Sequence, residues 1–361
     1  MANIVGDARL GEVLKRLGAD AILVTDEFNF HYLSGFAGEG WLLLTAGKQY
    51  LITDSRYTLD AQEKAAGFEI CEYNGNKGLY AWLKEIVAAE NVKKVGFENC
   101  NMTVAEYSKW QKNLPGLEFI PTEDELESLR TIKNAEELEY LAKAEEIGCL
   151  AFNDVLPKIK VGMTEIQLAA ELEYAMKMNG AEGYSFETIV ASGLNSAKPH
   201  HKPTNKKLEE GDFITMDYGC LYHGYCSDMT RTVVLGKASE KQKEVYNTVL
   251  KAQTTCCQMA KAGMKGKEVD KIARDIIAEA GYGEYFGHGL GHSVGLFIHE
   301  EPRFSPAEER EIQDGTIETI EPGIYIGGFG GVRIEDMGVV TKDGYKNLAT
   351  KASKELIEIE V

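Results

Sequence analysis

The sequence predicts two domains: an α/β domain over residues 1–122, then a larger α+β domain over residues 123–361. The larger one is built from two copies of one unit about a pseudo-twofold axis and carries a curved antiparallel sheet. Three observations lead there. At 361 residues the chain exceeds one ordinary domain. Helical and strand patterns alternate as far as about Pro121, where an acidic, apolar-poor stretch runs to Lys133. Beyond it, helices followed by paired strands recur at a nearly constant offset.

Composition narrows the class. With 44% apolar and 27% charged residues the chain has ample material for a core. A net charge of −18 argues against nucleic acid and anionic membranes as partners, because phosphate binding needs a surplus of Lys and Arg. The start, MANIVGDARL, lacks the basic-then-apolar layout of a signal peptide, and no apolar run approaches a membrane span. Seven cysteines, without a CxxC pair, read as reduced thiols, so a cytoplasmic location is expected.

In the first domain, Ala8 to Leu17 is helical in pattern and Ala21 to Thr25 is a short buried strand. Trp41 to Thr45 and Gln49 to Thr53 read as a hairpin turned by Ala46-Gly47-Lys48. Asp60 to Ala66 and Leu79 to Ala89 are helical, and Lys94 to Glu98 is a strand. Nothing in this half gathers His, Cys or acids at ligand spacing; His31, Arg56 and Tyr57 read as packing or surface residues.

The second domain opens with a helix capped at Asn134, with Glu137 three residues on. Its predicted buried stripe is Leu138, Leu141, Ala142, Cys149 and Phe152. Thr164 with Gln167 and Ser239 with Gln242 match the capping box of two further helices. The internal repeat follows. Gly162 and Gly263, each preceding a helix, lie 101 positions apart; Asp217 and Glu321 lie 104 apart, and Asp228 and Glu335 lie 107 apart. Two copies of a helices-then-sheet unit would each offer two carboxylates.

The segment GHGLGHSVGLFIHE, Gly287 to Glu300, holds three of the seven histidines on four glycines. Glycine permits a close backbone approach, so these imidazoles can converge. Around it lie Asp217 and Asp228 in one predicted hairpin, and Glu321 and Glu335 in another. Acids facing each other across antiparallel strands lie about 4.5–5.5 Å apart at Cβ and repel, unless a cation sits between them. Four carboxylates with His292 make a ligand set for two metal ions, and Arg333, two residues from Glu335, can balance the surplus charge. The adjacent Cys256 and Cys257 lie inside a helix and point about 100° apart, so they read as core thiols.

GHGLGHSVGLFIHE, SDMTRT, IEPGIYI and GGVRIED, in this order, resemble the pita-bread metallopeptidases that cleave Xaa-Pro bonds, aminopeptidase P and prolidase. FNFHYLSGFAGEGWLLLT…YLITDSRY is similar to their creatinase-like first domain, so the likeness spans essentially the whole chain. The resemblance implies Asp217, Asp228, His292, Glu321 and Glu335 as ligands of a dinuclear centre, with Asp228 and Glu335 bridging. It implies catalytic histidines at His200 and His299. His201 stands where a small residue is more usual, so the choice between His200 and His201 stays open. Glu321 would move the proton of the attacking water to the leaving proline nitrogen, with Arg333 and Tyr325 as supports. His288 would line the substrate pocket, or take a supporting or structural place. An oxygen-rich shell with one imidazole suits Mn²⁺ and tolerates Co²⁺ or Zn²⁺. The substrate would be a peptide with proline in second position, and a homodimer is expected.

Three rivals share parts of this pattern. A non-catalytic pita-bread module would not need all five ligands beside His200 and His299. Methionine aminopeptidase would not need the leading domain, and creatine amidinohydrolase would not need five ligands. Within the proline peptidases the sequence leans toward an aminopeptidase. A dipeptidase needs a cation for the proline carboxylate, and Lys198, Lys202 and Arg303 read only as loop residues.

Overall fold

The computed structural model describes residues 8–361. Two compact units divide it, the first ending at Arg130 and the second starting at Thr131.

The first unit is one six-stranded sheet with helices. Its strands are β1 (Ala21–Val24), β2 (Trp41–Thr45), β3 (Gln49–Thr53), β4 (Glu69–Glu72), β5 (Lys94–Phe97) and β6 (Glu118–Pro121), in the order β4-β3-β2-β1-β5-β6. The β1–β2 and β2–β3 pairs are antiparallel, and the three outer pairs are parallel. Helices α1 (Ala8–Leu17) and α4 (Leu79–Ala89) sit where the apolar pattern places them, and α3 (Thr58–Lys64) lies two residues earlier than predicted. Two helices carried no readable period: α2 (Glu27–Ser34) and α5 (Val104–Asn113). Local chemistry makes them. Asp26 caps α2 through the amides of Phe28 and Asn29, and Thr103 with Glu106 forms a capping box on α5.

The second unit begins with α6 (Ala135–Val155), capped by Asn134 and Glu137 as the sequence predicts. The buried face of α6 is wider than the predicted stripe. Leu141, Cys149 and Phe152 are buried, Leu138 and Ala142 only partly, and Glu137 and Glu145 are buried as well. Then come α7 (Glu165–Met178), β7 (Gly183–Tyr184), β8 (Ile189–Ser192), β9 (Phe213–Tyr218), β10 (Cys220–Tyr222), β11 (Tyr225–Cys226) and β12 (Met229–Leu235). The second half repeats the plan. It has α8 (Glu240–Met259), α9 (Gly266–Glu279), β13 (Gly291–Ser293), β14 (Glu300–Phe304), β15 (Thr316–Ile320), β16 (Gly323–Ile326), β17 (Gly330–Arg333), β18 (Asp336–Thr341) and β19 (Gly344–Asn347), with β20 (Glu358–Ile359) last.

In each half a helix pair packs against antiparallel strands around its own apolar core. Leu168, Leu172, Met216 and Val233 belong to the first core; Val249, Val269, Ile320 and Val340 belong to the second. β20-β12-β9-β8 and β15-β18-β19 are the main sheets. The carboxylates occupy like places in both: Asp228 and Glu335 each stand one residue before a return strand, β12 and β18.

A buried ion pair joins the halves. The Arg231 guanidinium, on β12, donates to Asp336 Oδ1 at 2.8 Å and to the Glu335 carbonyl at 2.6 Å. It also donates to the carbonyls of Thr230, Ser353 and Ala352. The second oxygen of Asp336 accepts from Gln253, Lys354 and Asn347. Both side chains are almost wholly buried, and their polar atoms are thereby satisfied. Removing one partner strands the other charge, so Arg231→Ala is expected to destabilise the second unit by about 3–5 kcal/mol. A denaturant midpoint shift corresponding to under about 1 kcal/mol would show that the pair does not hold the halves.

Candidate metal centre and active site

A cavity of about 480 Å³ opens within the second unit, and all five sequence-predicted ligands line it. Strand ends put them there. Asp217 is near the end of β9, and its register partner on β12 is Thr230. The expectation that Asp217 and Asp228 face each other directly therefore needs correcting: Asp228 lies before the ladder begins, diagonal to Asp217. Glu321 and Glu335 do lie opposite, between the last β15–β18 pair, Ile320 with Asp336, and the first β16–β17 pair, Gly323 with Arg333. Freed from both ladders, these side chains turn inward. His292 enters on β13, where Gly291 allows the strand to press on β15: a Cβ there would stand 2.0 Å from the Thr319 carbonyl oxygen.

Ligand atoms of Asp228, His292 and Glu335 lie within 4.8 Å of one another. His292 Nε2 is 3.4 Å from Asp228 Oδ2 and 3.5 Å from Glu321 Oε1. The His292 tautomer follows from its other nitrogen, 3.1 Å from the Ser293 carbonyl. Nδ1–H donates there, leaving the Nε2 lone pair aimed at the acids. Burial, and then the nearby His299, lower the pKa of His292 to about 3, so it is neutral.

Without a cation the acids repel. Burial first, and next Glu335, hold the Asp228 carboxyl well above its ordinary range. Burial and Glu321 do the same to Glu335. Burial raises Asp217 against the pull of Arg333, and pushes Glu321 up to about 8. Arg333 answers part of the charge. It donates to Asp217 Oδ2 at 2.5 Å, to Thr230 Oγ1 at 3.0 Å and to Tyr325 Oη at 2.9 Å. The Thr230 hydroxyl in turn donates a hydrogen bond to Glu335 Oε2 at 2.6 Å. Asp217 Oδ1, although buried, has no hydrogen-bond partner among the described residues. A buried, unpartnered carboxylate oxygen beside three crowded acids and an imidazole lone pair fits hard divalent cations.

The remaining predicted residues separate by position. His299 is exposed at the cavity wall, its ring 4.6 Å from that of His292, and partial desolvation lowers its pKa. His288 lines the cavity, but both its nitrogens are used, Nδ1 on the Gly289 carbonyl and Nε2 on Tyr325 Oη at 3.0 Å. Tyr325 in turn sits between His288 and Arg333. His200 is exposed at the cavity wall, whereas the adjacent His201 is buried and bonded to Glu165. Of the apolar residues beside the histidines, Ile298 lines the cavity and Phe297 does not, and Phe186 also lines it.

Arg303 reads in the sequence only as a loop cation, one of three. It lines the cavity, and β13–β14 pairing sets it directly across from His292. The chain spacing, 11 residues from His292, gives no sign of this. Lys202 also lines the cavity, but it is exposed and paired with Glu187; Lys198 bonds Asn195 outside the lining. Among the described residues no helix is long and apolar enough to cross a membrane.

Residues 8–132 match the Creatinase/Prolidase N-terminal domain, and residues 139–342 match Metallopeptidase family M24. The chain is 42% identical over 349 residues to the Xaa-Pro dipeptidase of Pyrococcus horikoshii, covering 96% of this chain and 97% of that one. The solved Xaa-Pro dipeptidase of Bacillus anthracis superposes with a TM-score of 0.94 at 42% identity, covering 98% of each chain. The X-Pro aminopeptidase of Thermotoga maritima superposes with 0.91 at 38% identity, covering 97% of this chain and all of the other. Its α/β first unit and pita-bread second unit agree with these relatives, and the chain belongs to metallopeptidase family M24.

Proposed function

We propose that this chain is an Xaa-Pro dipeptidase using two divalent metal ions, held by Asp217, Asp228, His292, Glu321 and Glu335, with Mn²⁺ suited to the oxygen-rich donor set. The observation that carries the dipeptidase reading is Arg303. A cation across one strand pair from His292, beside His299 in the cavity, can receive the free carboxylate of a proline one residue beyond the scissile bond. The relatives named Xaa-Pro dipeptidase support the same choice over the aminopeptidase toward which the sequence leans. The aminopeptidase stays as second reading on the Thermotoga maritima structure and on the pairing of Arg303 with Glu301 at 2.8 Å.

When bound, such ions supply a Lewis acid for the scissile carbonyl and a water of lowered pKa. The side chains do the rest. Glu321 accepts the proton of the attacking water on its carboxylate and hands it to the departing proline nitrogen. His299, its pKa held below the ordinary imidazole value by partial desolvation, donates an N–H to the oxygen that gains charge, and His200 approaches from its own loop. The Xaa-Pro bond is a tertiary amide with no N–H to recognise, so shape must be read, and Phe186 and Ile298 offer apolar walls.

Cleavage of Xaa-Pro is expected to exceed that of Xaa-Pro-Yaa at equal concentration. Arg303→Leu should lower kcat/KM for the dipeptide by roughly 10- to 100-fold, the worth of one charged hydrogen bond, with far less effect on the tripeptide. Equal losses on both, or faster tripeptide cleavage by the unaltered enzyme, would favour the aminopeptidase.

His299→Ala should keep about two ions per chain, measured by elemental analysis, and lose ~10²–10³ in turnover. Loss of metal in that variant would remove His292 from its place as sole imidazole ligand.

The ions must displace protons from the crowded acids. The metal-free folded chain binds more protons at these acids than the unfolded chain, so their contribution to stability falls as pH rises toward about 8. His288 and His292, lowered to about 4 and about 3 from 6.5, give the opposite slope only below 6.5. The rise in Tm on adding excess Mn²⁺ should therefore grow between pH 6.5 and about 8. A flat difference across that window would separate the ions from these carboxylates.

A further inference from the structure

Behind the cavity wall lies a carboxylate that the proposed chemistry does not use. Glu165, the first residue of α7, is fully buried. One of its oxygens, Oε1, accepts from Ser192 N at 2.9 Å, Ser192 Oγ at 2.8 Å and Asn195 Nδ2 at 3.0 Å. The other, Oε2, accepts from His201 Nε2 at 2.9 Å, Thr204 N at 3.0 Å and Thr204 Oγ1 at 2.7 Å. These donors come from the end of β8 and from the segment that follows it, so one side chain gathers both ends of residues 192–204. The outer edge of the same segment is tied to β17. Ser196 Oγ accepts from Gly331 N at 2.8 Å, and Arg333 Nη1 donates to the Pro199 carbonyl at 3.4 Å. Gly331 has to be glycine for this approach, since a Cβ would stand 2.3 Å from the Ser196 carbonyl oxygen.

His200 is thus held from both sides. Its predecessor, Pro199, is bonded to Arg333, and its successor, His201, to Glu165. We propose that Glu165 and His201 are positioning residues, which clamp the 192–204 segment against α7 and so fix the His200 imidazole in the cavity of the acids. His201 is then not the histidine that meets substrate, and the sequence ambiguity between the two resolves to His200. A carboxylate suits this role because six donors converge on it and it offers only acceptors. Burial alone would raise its pKa, yet the hydrogen bonds from Thr204, His201, Asn195 and Ser192 lower it to about 2, so it is ionised wherever the enzyme works.

The inference rests on the proline-peptidase reading of the cavity for its kinetic arm, and a second arm is independent of it. In Mn²⁺-loaded protein acting on an Xaa-Pro dipeptide, Glu165→Gln turns one acceptor oxygen into an amide facing donors. It should lower kcat/KM ~10- to 100-fold through misplacement of His200. His200→Ala should lower it ~10²–10³-fold. The double variant should fall within about twofold of His200→Ala alone, because the clamp acts through that imidazole. Losses that multiply would overturn the inference. His201→Gln, whose Nε2 can replace the imidazole donor, should keep most of the activity, and His201→Ala should fall with Glu165→Gln. A His201→Gln enzyme as poor as His200→Ala would overturn it too. By hydrogen–deuterium exchange, without substrate, Glu165→Gln should speed exchange across residues 193–204, and unchanged protection there would refute the clamp. Should the unaltered enzyme not cleave Xaa-Pro at all, the peptidase reading falls, while the exchange result still decides for or against the clamp.

Discussion

Four carboxylates around one cavity cannot all be ionised unless positive charge joins them, and much of the second unit is arranged about that constraint. Asp228, Glu321 and Glu335 stand just beyond strand ends, where the side chain is released from the ladder and can turn inward, whereas Asp217 stays in the ladder, one residue before the end of β9. Arg333 neutralises one of them and, through Thr230, steadies another. One residue on from Thr230 and from Glu335, the Arg231–Asp336 pair is fully satisfied and lends the cavity no charge. The same backbone thus carries one saturated ion pair and, beside it, a set of acids left short of cations. The first holds the halves together; the second is the place where metal binding free energy can be spent.

The two halves deliver their acids differently, and the difference explains the histidine. Glu321 and Glu335 lie opposite each other across a break between ladders, whereas Asp217 and Asp228 lie diagonally, with Thr230 facing Asp217. The pseudo-twofold repeat is therefore inexact at the site. His292 fills the gap from β13, within 3.4 Å of Asp228 and 3.5 Å of Glu321, so it touches one acid from each half. His288 and His292 both place Nδ1 on a backbone carbonyl, yet Tyr325 occupies the Nε2 of His288 and leaves that of His292 for the acids. One tyrosine separates a supporting histidine from a candidate ligand four residues away.

Much of this was legible in the sequence because its signals are local. Capping boxes at Asn134, Thr164 and Ser239 stand where the motif puts them. The hairpin over residues 41–53 and the paired acids were readable from alternation and turn residues. What the sequence hid depends on register or on distant contacts. Period-2 patterning places Asp217 and Asp228 in one hairpin but leaves their pairing open, since a shift of two residues preserves the pattern. Arg303 reads as a loop cation until β13–β14 register sets it opposite His292. Glu165 looks like any acid in a capped helix start, and its six donors lie 27 to 39 residues away. The short helices α2 and α5 escaped because local caps, not an apolar period, make them.

On the proposed function, the position of Arg303 also sets how sharply chain length can be read. Neighbours across an antiparallel pair lie about 4.5–5.5 Å apart at Cβ. Arg303 therefore stands a single strand spacing from the candidate ligand His292, which suits a carboxylate one residue beyond the scissile bond. A longer peptide puts an amide where the dipeptide has a carboxylate, and that amide matches in shape and lacks only the charge. Discrimination then rests on one charged hydrogen bond, about 1.5–3 kcal/mol, and Glu301 already claims part of the Arg303 donor set. The Arg303 side chain is 45% exposed, which weakens the interaction further through solvent screening. A site so built grades dipeptides above longer peptides and does not exclude the latter. That grading fits a family fold in which relatives at 42% and 38% identity bear the two different names, dipeptidase and aminopeptidase.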